Sequence, residues 1–123
     1  MLNVFQKEAE EKWGHTQAFQ QSSERTKRFT KEDWEQIRSE QEQNMQHLVR
    51  LMVEGLQVSD PRVQQEITSH RGIIHKFYDC TDEMYRGLAE MYVADERFAE
   101  HYRVYHQALP EFLSNAMLES IKA

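Results

Sequence analysis

Turn-forming residues are scarce in this chain: four glycines and two prolines punctuate 123 residues. A sheet built from many hairpins needs a glycine, asparagine or proline at nearly every reversal. Long helices joined by short loops need far fewer. The apolar residues agree, because they recur at steps of three and four and show no strand-like alternation. Trp34, Ile37, Gln41, Met45, Leu48 and Met52 form one such stripe, opened by the capping sequence Thr30-Lys31-Glu32-Asp33 and stopped by Gly55. Asp60 followed by Pro61 starts a second, with Val63, Ile67, His70, Ile74 and Phe77 or Tyr78 facing inward. Thr81 caps a third helix carrying Met84, Leu88, Met91 and Tyr92, and Asp95 caps a fourth with Phe98, Tyr102 and Tyr105. Pro110 falls in the first turn of a last helix that docks through Phe112, Leu113, Ala116 and Met117. The predicted fold is all-α, a bundle of about five to seven helices.

The first quarter is patterned differently. Val4, Phe5, Ala9 and Trp13 are the apolar residues of a polar opening helix that Gly14 can end. Thr16 then caps a short helix carrying Ala18 and Phe19, and residues 20–28 are almost entirely polar. Helices this short are marginal without tertiary packing. Two readings stay open: a frayed or peripheral helical hairpin, or a lid that orders when something binds. The expected organisation is a single domain over residues 1–123, with 30–123 as the helical core and 1–29 as a lid on the second of these readings.

Composition narrows the function classes. Hydrophobic residues make up 39% and charged residues 29%, which is a globular balance. The formal net charge of −6 argues against unaided binding to nucleic acid, whose affinity comes from cations on phosphates. A lone cysteine, Cys80, excludes an internal disulfide and suits a reducing cytoplasm. No apolar run approaches the ~20 residues needed to span a bilayer, and acidic residues soon after Phe5 are unlike a signal peptide. A cytoplasmic protein with no membrane partner is expected.

Chemically distinctive groups concentrate in residues 70–98, which hold the only cysteine, two glycines, two histidines and several aromatics. No phosphate-binding glycine loop, nucleophile elbow or paired-cysteine motif accompanies them. His70 and His75 stand five apart, as do His101 and His106, so neither pair faces one metal from a helix. An inward His70 is compatible with a haem ligand, but no supporting residue argues for haem, and a buried hydrogen bond is the commoner role. Glu83 and Glu90 can share a helix face, yet an exposed charged stripe explains them equally. No metal, cofactor or catalytic group is assigned. What remains is six Met, six Phe, five Tyr and two Trp, which suit either a core or an adaptable apolar pocket.

The segments EAEEKWGHTQAF, FTKEDW, HKFYDCTDEMYRGLAEMYVADERF and LPEFLSNAM resemble the TipA-S-type antibiotic-recognition domain, from about Glu8 to near the C-terminus. The resemblance implies a globin-like helical bundle without haem that binds bulky, largely apolar antibiotics, including thiopeptides such as thiostrepton. Such domains commonly form the effector half of MerR-type transcriptional activators, behind a DNA-binding domain and a dimerising helix not present in this chain. A homodimer of the intact regulator would rest on those elements. Some relatives act alone by sequestering drug, which is the alternative function. A drug-modifying enzyme is the reading from another class.

The resemblance also implies a lid, because the N-terminal part of the prototype folds over its ligand. There, a cysteine seven residues after that of YDC attacks a dehydroamino acid of the ligand. That position is Gly87 here, while Cys80 matches the YDC cysteine, which is not the attachment residue. Binding is therefore expected to be reversible. If position 87 faces ligand, Cys80, Met84 and Met91 share its side of the helix, and His70, Ile74 and Phe77 line the facing helix. Trp13 and Phe19 would anchor the lid.

Overall fold

The computed structural model describes residues 16–122. Within them are six α-helices and no strand: α1 (Gln17–Thr26), α2 (Lys31–Val53), α3 (Pro61–His75), α4 (Asp82–Ala94), α5 (Glu96–Arg103) and α6 (Leu109–Ser120). Local chemistry sets where most of them start. The Thr16 hydroxyl accepts the Phe19 amide at 3.2 Å. Thr30 and Asp33 close a reciprocal capping box, each side chain accepting the other's backbone amide, at 3.1 and 2.8 Å. Asp60, Thr81 and Asp95 cap α3, α4 and α5. Each cap gives an acceptor to amides that have none within the helix. α2 ends at Val53, and Gly55 turns the chain with φ of 88°, where other residues would be strained.

The core is assembled around α6, which packs against α2, α3, α4 and α5. Its Leu109, Leu113, Ala116 and Met117 are fully buried. Burying a large apolar side chain of this kind contributes about 1.5–3 kcal/mol. α4 is the most extensive partner of α6. The small, fully buried Ala89 and Ala116 let the two come close, and the Ser114 hydroxyl donates to the Ala89 carbonyl at 2.7 Å. The Gln64 side-chain amide donates to the Val58 and Ala116 carbonyls, tying α3 to the same helix.

Two faces differ from the periodic reading. On α2 the buried residues are Ile37, Asn44, Met45, Leu48 and Leu51; Gln41 is exposed and Met52 only half-buried. Asn44 turns inward because it has partners there, its Nδ2 donating to the Glu66 carbonyl at 2.8 Å and the Glu66 carboxylate at 3.1 Å. On α4 the buried residues are Tyr85, Ala89 and Tyr92, while Met84, Leu88 and Met91 sit half-buried at the edge of the core. Tyr85 takes the centre because its hydroxyl meets His70 inside the core, so a polar atom is buried without being orphaned. On α3, Ile73 is buried and Ile74 half-buried.

One position leaves stability unused. Gly72 lies exposed within α3, and a methyl group placed on it would meet nothing within 4 Å. Gly72→Ala is expected to stabilise the fold by about 0.5–1 kcal/mol by restricting the unfolded chain. Urea denaturation checks this: the midpoint should rise with an unchanged slope.

Candidate ligand-binding site

The connection between α3 and α4, residues 76–81, is held by side chains of α3. Arg71 donates to the Cys80 carbonyl at 2.6 Å and to the Asp82 carboxylate at 2.8 Å. Its guanidinium also lies 4.9 Å from the centroid of the Tyr85 ring, a favourable cation–π placement. His75 Nδ1 accepts the Cys80 amide at 3.3 Å. The next residue, Thr81, caps α4 by accepting the Met84 amide at 3.2 Å. The start of α4 is therefore fixed by a short, well-bonded piece of backbone.

Beneath it lies an aromatic layer. His70 Nδ1 and the Tyr85 hydroxyl share a 2.7 Å hydrogen bond. Tyr92 packs with ring centroids 6.2 Å from His70, 6.1 Å from Phe98 and 4.9 Å from Tyr102. Desolvation disfavours charge in such surroundings. Burial accordingly holds the His70 imidazole at about 4, below its ordinary 6.5, and pushes the Tyr85 and Tyr92 phenols up. Burial also raises the Cys80 thiol above its ordinary value, with nearby Arg71 partly opposing. A protonated thiol is a poor nucleophile. Among the described residues, no group of three His, Cys, Asp or Glu is placed to hold a metal ion.

The residues singled out from the sequence fall into distinct settings. His70 and Cys80 lie inside the core, 7% and 3% exposed. Ile74, Met84 and Met91 are half-buried against that core. Gly87 is exposed on α4, and a side chain added there would meet nothing within 4 Å. Phe77 is half-buried in a second cluster, its ring centroid 5.8 Å from Phe29 and 6.0 Å from Trp34. Phe19 is half-buried on α1. Trp13 lies outside the described residues, as does the expected helix over residues 1–14.

The sequence reading missed the partners of α1. That helix runs through the polar residues to Thr26, and Gln21 and Arg25 bond to Asp79 and to the end of α3. Gln21 and Asp79 are 58 residues apart, so no local pattern could have paired them. Arg71 was missed although its partners lie only 9 and 11 residues on, because hydrophobic patterning ignores a polar residue.

Residues 5–119 match the model of the TipAS antibiotic-recognition domain. The chain belongs to that family. Over 115 residues it is 36% identical to the HTH-type transcriptional activator TipA of Streptomyces coelicolor, covering 93% of this chain and 46% of the activator. It is 30% identical over 100 residues to the HTH-type transcriptional activator mta of Bacillus subtilis, covering 80% of this chain and 38% of that protein. The chain thus spans less than half the length of these relatives. Its fold matches that of TipAS from Streptomyces lividans in complex with nosiheptide, with a TM-score of 0.87 and 35% identity over 96% of this chain and 83% of that one. The expected all-α, globin-like arrangement is therefore the fold of this TipAS domain. None of its described helices is long and apolar enough to cross a membrane.

Proposed function

We propose that this TipAS domain is the effector-recognition part of a MerR-type transcriptional activator and reversibly binds bulky, apolar antibiotics of the thiopeptide class. The observation that carries the reading is the match, in sequence and in fold, to TipAS in complex with nosiheptide. In this reading the half-buried edge of α4, formed by Met84, Gly87, Leu88 and Met91, presents adaptable apolar surface to the ligand. Residues 30–123 form the core that carries this surface, and residues 1–29 close over it. The DNA contact belongs to a separate helix-turn-helix domain of the regulator. The domain acts by binding rather than turnover: bound antibiotic should be recovered chemically unchanged.

Reversibility follows from the residues at the two cysteine positions of the family. Gly87 offers no thiol, and Cys80 is buried with a raised pKa. Nosiheptide is the probe for both statements. At 100 times its dissociation constant it should stabilise the native domain by about 2.7 kcal/mol, seen as a rise in melting temperature. Intact mass under denaturing conditions should remain that of the bare chain. No thermal shift would refute recognition of this class, and a covalent adduct would refute reversible capture.

A further inference from the structure

Among the described helices, α1 is the one with no buried residue. Apolar burial therefore contributes less to its position than to that of the other described helices, and its hydrogen bonds to the rest of the described fold run through Gln21 and Arg25. Gln21 and Arg25, one turn apart on a single face, both reach Asp79. Arg25 donates to the Asp79 carboxylate at 2.8 Å and to the His75 carbonyl at 2.9 Å. Gln21 donates to the second carboxylate oxygen at 3.4 Å, and its own side-chain oxygen accepts the Asp79 amide at 2.9 Å. Three atoms of Asp79 are thus engaged by one helix.

The C-terminal side of α1 is held differently. Phe29 packs edge-on against Trp34, with ring centroids 5.2 Å apart, and against Phe77. This contact is apolar and lies just before α2 begins. The segment carrying α1 consequently has an aromatic hinge at Phe29 and a polar fastening at Gln21 and Arg25.

Asp79 is bonded to Cys80, and Cys80 to Thr81, the cap of α4. Arg71 and His75 hold the Cys80 carbonyl and amide from the other side. Asp79 is therefore joined to the first turn of α4 through only two residues, Cys80 and Thr81, both of which carry hydrogen bonds of their own. We propose that the contact of Gln21 and Arg25 with Asp79 is a latch that couples the position of α1 to the ligand-facing surface of α4, so that each state of α1 carries its own antibiotic affinity. The latch rests on the reading that α4 meets the ligand. By linkage, a ligand that prefers the latched state must also tighten the latch.

The latch has a property that the hinge lacks. The Asp79 side chain is 70% exposed and that of Arg25 33%, so added salt weakens their attraction, whereas the aromatic contacts are not screened. Amide hydrogen exchange on the full chain without ligand tests the latch directly. Arg25→Ala should speed exchange across α1 by about tenfold and leave α2 and α6 unchanged. Wild-type protein in 1 M salt should move in the same direction. Arg25→Ala and Asp79→Ala should each weaken nosiheptide binding, and the double variant should lose less than the sum of the two, the signature of a shared contact. Unchanged exchange in α1 would overturn the latch. Faster exchange with unaltered nosiheptide affinity would overturn the coupling. Wild-type protein that fails to bind nosiheptide would instead refute the functional reading, and ligand-free exchange would still decide whether the latch exists.

Discussion

Gly87→Cys is expected to convert reversible capture of a thiopeptide into covalent capture. The position is exposed in the middle of α4, and nothing lies within 4 Å of where the new Cβ would sit. The substitution should therefore be tolerated, with a small gain from replacing a helical glycine. A thiolate there would add to the terminal carbon of a ligand's dehydroamino acid. The S–C bond forms as the carbon–carbon π bond breaks, and the adjacent carbon takes up a proton from water. An exposed cysteine ionises near pH 8.5, so the adduct should form faster as pH rises toward that value. Intact mass after incubation with nosiheptide and denaturation should show the chain plus one ligand. Wild-type chain with Cys80 in place should show none. A variant that binds nosiheptide but forms no adduct near pH 8.5 would mean that position 87 faces away from the ligand's reactive group.

The second large effect concerns acid. The His70 imidazole is held at about 4 in the folded protein against about 6.5 in the unfolded chain. Between those values the unfolded state binds the extra proton and the folded state does not. Stability from this group is therefore complete above about pH 6.5 and is lost as pH falls toward 4, by about 3 kcal/mol in total. For a domain of ordinary stability that is a large fraction of the whole. The double replacement His70→Leu with Tyr85→Phe removes the buried imidazole and its hydroxyl partner together, so neither is left unpaired. Urea denaturation from pH 7.5 to 4.5 should show a markedly shallower fall for this variant than for wild type. Equal slopes would mean that His70 does not resist protonation in the folded state.

What could be read from the chain depended on how far apart the interacting residues lie. Caps are local, and Thr16, Thr30, Asp60, Thr81 and Asp95 all act where short-range patterns placed them. The all-α class followed from the same patterns. The face of α4 did not, because periodicity allows either Met84, Leu88 and Met91 or Tyr85, Ala89 and Tyr92 to point inward. That choice is made by His70, 15 residues away, and by Ser114 on α6. The rotation matters for the candidate site, since it moves the methionines to the edge of the core and leaves Gly87 in solvent. Gln21, Arg25 and Asp79 are polar residues that hydrophobic patterning ignores, and their pairing appears only in three dimensions.

The arrangement around α6 bears on how the protein is made. Every helix that α6 packs against precedes it in the chain. During synthesis α2 can pair with α3 and α4 with α5 before α6 emerges, and the shared core closes only when Leu109 to Met117 have left the ribosome. Folding should therefore finish in one late step rather than helix by helix. A nascent chain would then gain its packed core abruptly, and a message truncated before α6 would yield a product without one.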